Sequence, residues 1–92
     1  MQTVLNVYVD EYCPGCIEAR RAAAQIAQDY PSVTVQIIEV GRPDVSVPEA
    51  VFATPTFMLG NRLMQLGNPG PDDIIRWLGE RPHTTDGEID GR

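Results

Sequence analysis

The chain contains no lysine: seven basic residues, all arginine, stand against thirteen acidic ones, for a formal net charge of −6. That absence excludes Schiff-base chemistry and a lysine general base. An acidic chain also lacks the basic surface that phosphate contacts need, so no nucleic-acid partner is expected. An anionic membrane surface is no better suited. Histidine is almost missing; His83 is the one present. Structural zinc takes four nitrogen or sulfur ligands, and two cysteines with one histidine do not supply them. Zinc shared between two copies, or copper(I) on two thiolates, stays open as a lesser reading, and no metal is assigned. No apolar run is long enough to span a bilayer. The start, Met1-Gln2-Thr3-Val4, has neither the basic nor the apolar region of a signal peptide. The expectation is a cytoplasmic protein with no membrane partner. In that compartment a cysteine pair is more often catalytic or metal-binding than a structural staple.

What is present fits one small domain. Ninety-two residues, 42% of them hydrophobic, suffice for a single core. Residues 4–9 (Val-Leu-Asn-Val-Tyr-Val) predict a strand with little polar relief on either face, as in a covered, central position. Asp10-Glu11-Tyr12-Cys13-Pro14-Gly15-Cys16 then turns into a helix predicted over 14–30. Pro14 suits the first helical position. Ile17, Ala23, Ala24, Ile26, Ala27 and Tyr30 form its expected apolar stripe, with Glu18, Arg20, Arg21, Gln25 and Gln28 facing away. Pro31 stops it.

A second strand is predicted at 33–40, a loop at 41–46 and a short helical turn at 48–52, opened by Pro48. Strands at 56–59 and 63–66 flank a tight turn at Gly60-Asn61. A last helix runs from Asp72 to about Glu80, its acidic start offsetting the macrodipole. The order is β-α-β-(short α)-β-β-α. The first two strands, joined through a helix, should be parallel. The expected fold is α/β: a four-stranded mixed sheet with helices on both faces, spanning residues 1–80. Residues 81–92 are polar and without periodicity, and predict a flexible tail. Its end, Ile89-Asp90-Gly91-Arg92, has the form of a processing-protease recognition site.

The chemistry concentrates in two cysteines, two residues apart, between a strand and a helix. The thiolate is the attacking species in disulfide exchange, and a free cysteine with a pKa near 8.5 is mostly protonated at neutral pH. A helix start offers unpaired N–H groups and the positive end of the dipole, which favours a Cys13 thiolate. Cys16, one turn deeper, would resolve the mixed disulfide. Asp10 and Glu11 oppose thiolate formation by charge repulsion, so only a moderate effect is expected.

Tyr12-Cys13-Pro14-Gly15-Cys16 after a strand, Ala53-Thr54-Pro55-Thr56 before a hairpin and Gly67 after it together resemble the thioredoxin/glutaredoxin superfamily. The resemblance covers residues 4–80. It implies a thioredoxin-like fold and a thiol–disulfide oxidoreductase in which Cys13 and Cys16 are catalytic and no cofactor is required. It also implies a cis Pro55 facing the cysteines and a Thr54 backbone that pairs with an extended substrate. Tyr12, Pro14, Gly15 and Gly67 complete the substrate groove. Its partners would be a disulfide-containing protein and a reductase or small-thiol electron donor.

The chain departs from the family in several places, the Pro14-Gly15 between the cysteines among them, and three bear on the chemistry. Val7 stands where thioredoxins carry a buried aspartate. Glu11 replaces the basic residue that glutaredoxins place before the first cysteine. Gly67-Asn68-Pro69-Gly70 replaces their glutathione-binding segment, leaving Asp72 or Asp73 to meet a glutathione amine. These departures favour a protein-disulfide reductase over a glutathione-dependent enzyme. A binding or metal-carrying module without redox turnover is the remaining alternative.

Overall fold

A computed structural model describes residues 3–79. Six elements follow one another: β1 (Thr3–Val9), α1 (Cys16–Asp29), β2 (Val33–Glu39), β3 (Thr56–Leu59), β4 (Arg62–Leu66) and α2 (Pro71–Leu78). The strands form one mixed sheet in the order β2-β1-β3-β4. β1 pairs with β2 in parallel and with β3 antiparallel, and β3–β4 is an antiparallel hairpin. The apolar run 4–9 is therefore a central strand, flanked on both sides. The tail expected at 81–92 lies outside the described residues.

Strand alternation sorts the sheet into two faces. Leu5, Val7 and Val9 of β1 and Phe57 of β3, which pairs with Val7, point to one side. They join Cys16, Ala19, Ala23, Ile26 and Tyr30 in a single buried cluster. From Cys16 through Tyr30, the cap of α1, these residues follow spacings of three, four, three and four, the repeat of a helix stripe facing a sheet. The stripe is thus shifted from the one read in the sequence: Ile17, Ala24 and Ala27 are exposed. Alanine at 19 and 23 lets the helix lie close to the sheet, and the larger Ile26 and Tyr30 complete the buried stripe. Burying a side chain as large as Phe57 or Ile26 contributes about 1.5–3 kcal/mol.

α2 packs on this same face. Ile74, Trp77 and Leu78 lie against the cluster, and the Trp77 and Phe57 rings are 5.9 Å apart, tilted by 44°. The expectation of helices on both faces is corrected: both described helices cover one face. The helical turn expected at 48–52 does not form, and Val51 N–H closes only a turn onto the Pro48 carbonyl (3.0 Å). A five-residue stretch gains too few hydrogen bonds to offset helix nucleation. The approach of Pro55 further biases the chain at Thr54 toward an extended path.

Helix ends explain the remaining shifts. α1 begins at Cys16 rather than Pro14, because Cys16 N–H bonds the Cys13 carbonyl (3.1 Å) in a β-turn. Pro14 occupies the second position of that turn, where its fixed φ also fits. α2 starts where the Asp73 carboxylate accepts the Gly70 N–H at 2.8 Å. It ends at Gly79, whose φ of 83° suits glycine and whose N–H reaches the Ile75 carbonyl at 2.7 Å. The Tyr30 hydroxyl donates to the Gly79 carbonyl at 2.7 Å, tying the ends of the two helices together. Gly60, with φ of 60°, makes the two-residue hairpin turn between Leu59 and Arg62.

Candidate active site

β1 ends at Val9, and the next seven residues carry the chain to the first turn of α1. Within that stretch Cys13 and Cys16 are joined as a disulfide, with Cα atoms 5.3 Å apart. The two sulfurs differ in setting. Cys16 is only 2% exposed and belongs to the core cluster, whereas Cys13 is partly exposed at its edge. The difference follows from the elements. Cys16 is the first residue of the inward stripe of α1, and Cys13 stands in the turn before it.

The backbone of Asp10 holds this turn at both cysteines. Its carbonyl accepts the Cys13 N–H (3.3 Å), and its N–H points at Cys16 Sγ (3.4 Å). An N–H aimed at sulfur favours negative charge there, as does the positive end of the α1 dipole at its first residue. Val7 is fully buried and offers no proton acceptor.

The opposite wall comes from two loops. The Thr54–Pro55 peptide is cis. The Pro55 ring lies 3.5 Å from where a Cβ on Gly15 would stand, so Pro55 faces the cysteine turn. The Pro55 carbonyl accepts the Gly67 N–H at 2.7 Å, and Gly67 has a φ of 96°. The next residue, Asn68, donates from Nδ2 to the Gly15 carbonyl at 2.9 Å. Thr56 anchors the strand end, its hydroxyl donating to the Ala53 carbonyl at 2.6 Å.

The fold therefore brings Cys13, Pro14, Gly15, Cys16, Pro55 and Gly67 to one place, together with Thr54 at the lip. Tyr12 also stands at the turn but projects outward, 85% exposed. Asn68 and the Asp10 backbone were missed in the sequence. Asn68 lies 53 residues from its partner, and main-chain donors leave no residue-type signal.

Asp73, one candidate for a glutathione amine, is already engaged by the Gly70 N–H and the Arg76 guanidinium. Both hold its carboxyl below the ordinary value of 3.8. Among the described residues no group of three or more His, Cys, Asp or Glu side chains is placed to hold a metal. Among them, too, no helix is long and apolar enough to cross a membrane. No family model matches the chain, and no curated protein matches it either.

Proposed function

We propose that the chain is a thiol–disulfide oxidoreductase of thioredoxin-like architecture that exchanges a Cys13–Cys16 dithiol with protein disulfides. One observation carries this reading: a disulfide at a strand-to-helix junction whose first cysteine is partly exposed and whose second is buried. In the reduced form the Cys13 thiolate attacks a substrate disulfide. A Cys13–substrate mixed disulfide forms, and the first substrate thiolate leaves and takes up a proton. Cys16, losing its proton as the Asp10 N–H and the helix end favour its thiolate, then attacks Cys13 Sγ. The second substrate thiolate leaves and is protonated. The substrate gains two electrons and two protons, and the protein is left with the Cys13–Cys16 disulfide. A donor dithiol, either a reductase or a small thiol, restores the pair.

The Pro55–Gly15 contact supports a groove for an extended substrate beside Cys13, with Thr54 as the backbone that would pair with it. Engagement of Asp73 within its own helix cap supports a protein disulfide rather than glutathione as the substrate.

The test uses single-cysteine variants. Cys13→Ser should abolish reduction of a protein disulfide, because the attacking thiolate is gone. Cys16→Ser should accumulate a covalent complex visible by non-reducing electrophoresis and mass spectrometry. Full activity in both variants would refute the assignment.

A further inference from the structure

Beside the disulfide lies a second feature that exchange chemistry alone does not use. A cavity of about 350 Å³ is lined by Asp10, Val40, Val51, Phe52, Ala53 and Thr54. Its position is fixed from both sides. The Asp10 backbone bonds both cysteines of the turn, and Thr54 precedes the proline that abuts Gly15. A chain segment held against Thr54 with its sulfur at Cys13 would place a neighbouring side chain at this cavity.

The lining is chemically particular. Val40 and Val51 give aliphatic walls. Phe52 is 75% exposed, so a face of its ring is open. Asp10 brings a carboxylate, directed toward the 40–41 turn, with Oδ1 3.9 Å from where a Cβ on Gly41 would stand. No ion pair engages Asp10 among the described residues, whereas the arginines at 20, 21, 42 and 76 are committed to Glu39, Glu18, Asp44 and Asp73. Glu11, next in the chain, is exposed and adds a second negative charge. An open aromatic face beside an unpaired carboxylate matches a guanidinium or ammonium on an aliphatic stem. The stem packs on the valines and the cation meets the ring and the carboxylate.

We infer that this pocket selects substrates whose reactive cysteine is flanked by arginine or lysine. The inference rests on the disulfide-exchange reading of the same site and names its substrate class. Acidic disulfides, glutathione disulfide among them, are disfavoured by the same charges.

The experiment uses three short cyclic disulfide peptides that differ only in the residues flanking one cysteine: arginine, glutamine or glutamate. Pre-reduced full-length protein, freed of small thiols, is mixed with each peptide at low salt, and peptide reduction is followed by mass spectrometry. Dithiothreitol with the same peptides gives the intrinsic charge effect on thiolate attack. The protein's arginine-to-glutamate rate ratio should exceed that of dithiothreitol by roughly tenfold, the product of a few-fold each from an exposed ion pair and an open cation–π contact. Asp10→Asn and Phe52→Ala should each lower that ratio a few-fold. Because the ratio is taken within one variant, altered cysteine reactivity cancels. A ratio no larger than that of dithiothreitol, or one that survives both substitutions, overturns the pocket while leaving disulfide exchange intact. Failure of the wild-type protein to reduce any of the three peptides overturns both readings together.

Discussion

The two faces of the sheet are unlike. One carries Leu5, Val7, Val9 and Phe57 beneath α1 and α2 and holds the buried cluster. The other presents Val4, Asn6, Tyr8, Thr34, Gln36, Ile38, Thr56, Met58, Leu63 and Leu66, by register, with no described helix over it. Tyr8, Thr56 and Met58 are buried at its centre, while Leu63 and Leu66 at its edge are about two-fifths exposed. The segment 40–55, which forms no helix, instead supplies most walls of the pocket beside the disulfide. Stability is therefore concentrated on the helix face, and the opposite side has room for recognition.

The sharpest way to break this comparison is to truncate one residue on each face. Phe57→Ala removes a fully buried ring in contact with Trp77 and should cost about 3–5 kcal/mol in urea unfolding. Leu63→Ala, on the other face and 42% exposed, should cost less than about 1 kcal/mol. Equal losses would mean that the two faces bear similar loads.

A smaller effect tests the link between the helices. Tyr30→Phe deletes the hydroxyl that reaches the Gly79 carbonyl. It should lower stability by about 1 kcal/mol and raise amide exchange at the end of α2 with little change in β1. Unchanged exchange at Ile75–Leu78 would show that the two helix ends are held independently.

The smallest effect concerns acid. The folded-state pKa of Asp73 lies below its ordinary value of 3.8, first through the Gly70 N–H and then through Arg76. A depressed carboxyl stabilises the fold above its unfolded pKa, and that contribution fades as pH falls through the lower folded value. Stability referenced to pH 7 should drop slightly below about pH 4. Asp73→Asn should flatten that slope, and a variant with the wild-type slope would remove Asp73 as its source. The carboxyl is partly open to solvent at the surface, so the change is a perturbation at the helix-face end and not a collapse.

Elements whose signal is local were legible in the sequence. The apolar run 4–9, the valine-rich 33–39, the turn at Gly60-Asn61 and the acidic start of α2 each carry their conformation in adjacent residues. So did Cys13, Cys16 and Pro55, because a spacing and a residue type mark them. What failed depends on tertiary placement. Ile17 reads as apolar and so joined the expected stripe, but the turn at Cys13–Cys16 sets the phase of α1 and sends it to solvent. The 48–52 stretch opens with a helix-starting proline, yet no partner surface rewards so short a helix. Asn68 was invisible because its role is one hydrogen bond across the groove, and the charge of Asp10 gave no hint that its backbone grips both cysteines.

The sheet order also bears on how the molecule assembles. The cysteines belong to a β-α-β unit whose parallel pairing is complete by residue 39, whereas Pro55, Gly67 and Asn68 arrive with the later hairpin. The two parts meet through β1–β3 pairing, from Leu5–Leu59 to Tyr8–Thr56. A nascent or partly unfolded chain with only the first unit in place would already own the dithiol proposed to react, since the cysteines are three positions apart. It would keep Asp10 but lack the 51–54 wall of the neighbouring pocket, as well as Pro55, Gly67 and Asn68. Under the proposed function, reactivity is a local property of this chain and most of its discrimination a late-folding one, so conditions that loosen the hairpin should broaden what the dithiol attacks before they abolish exchange.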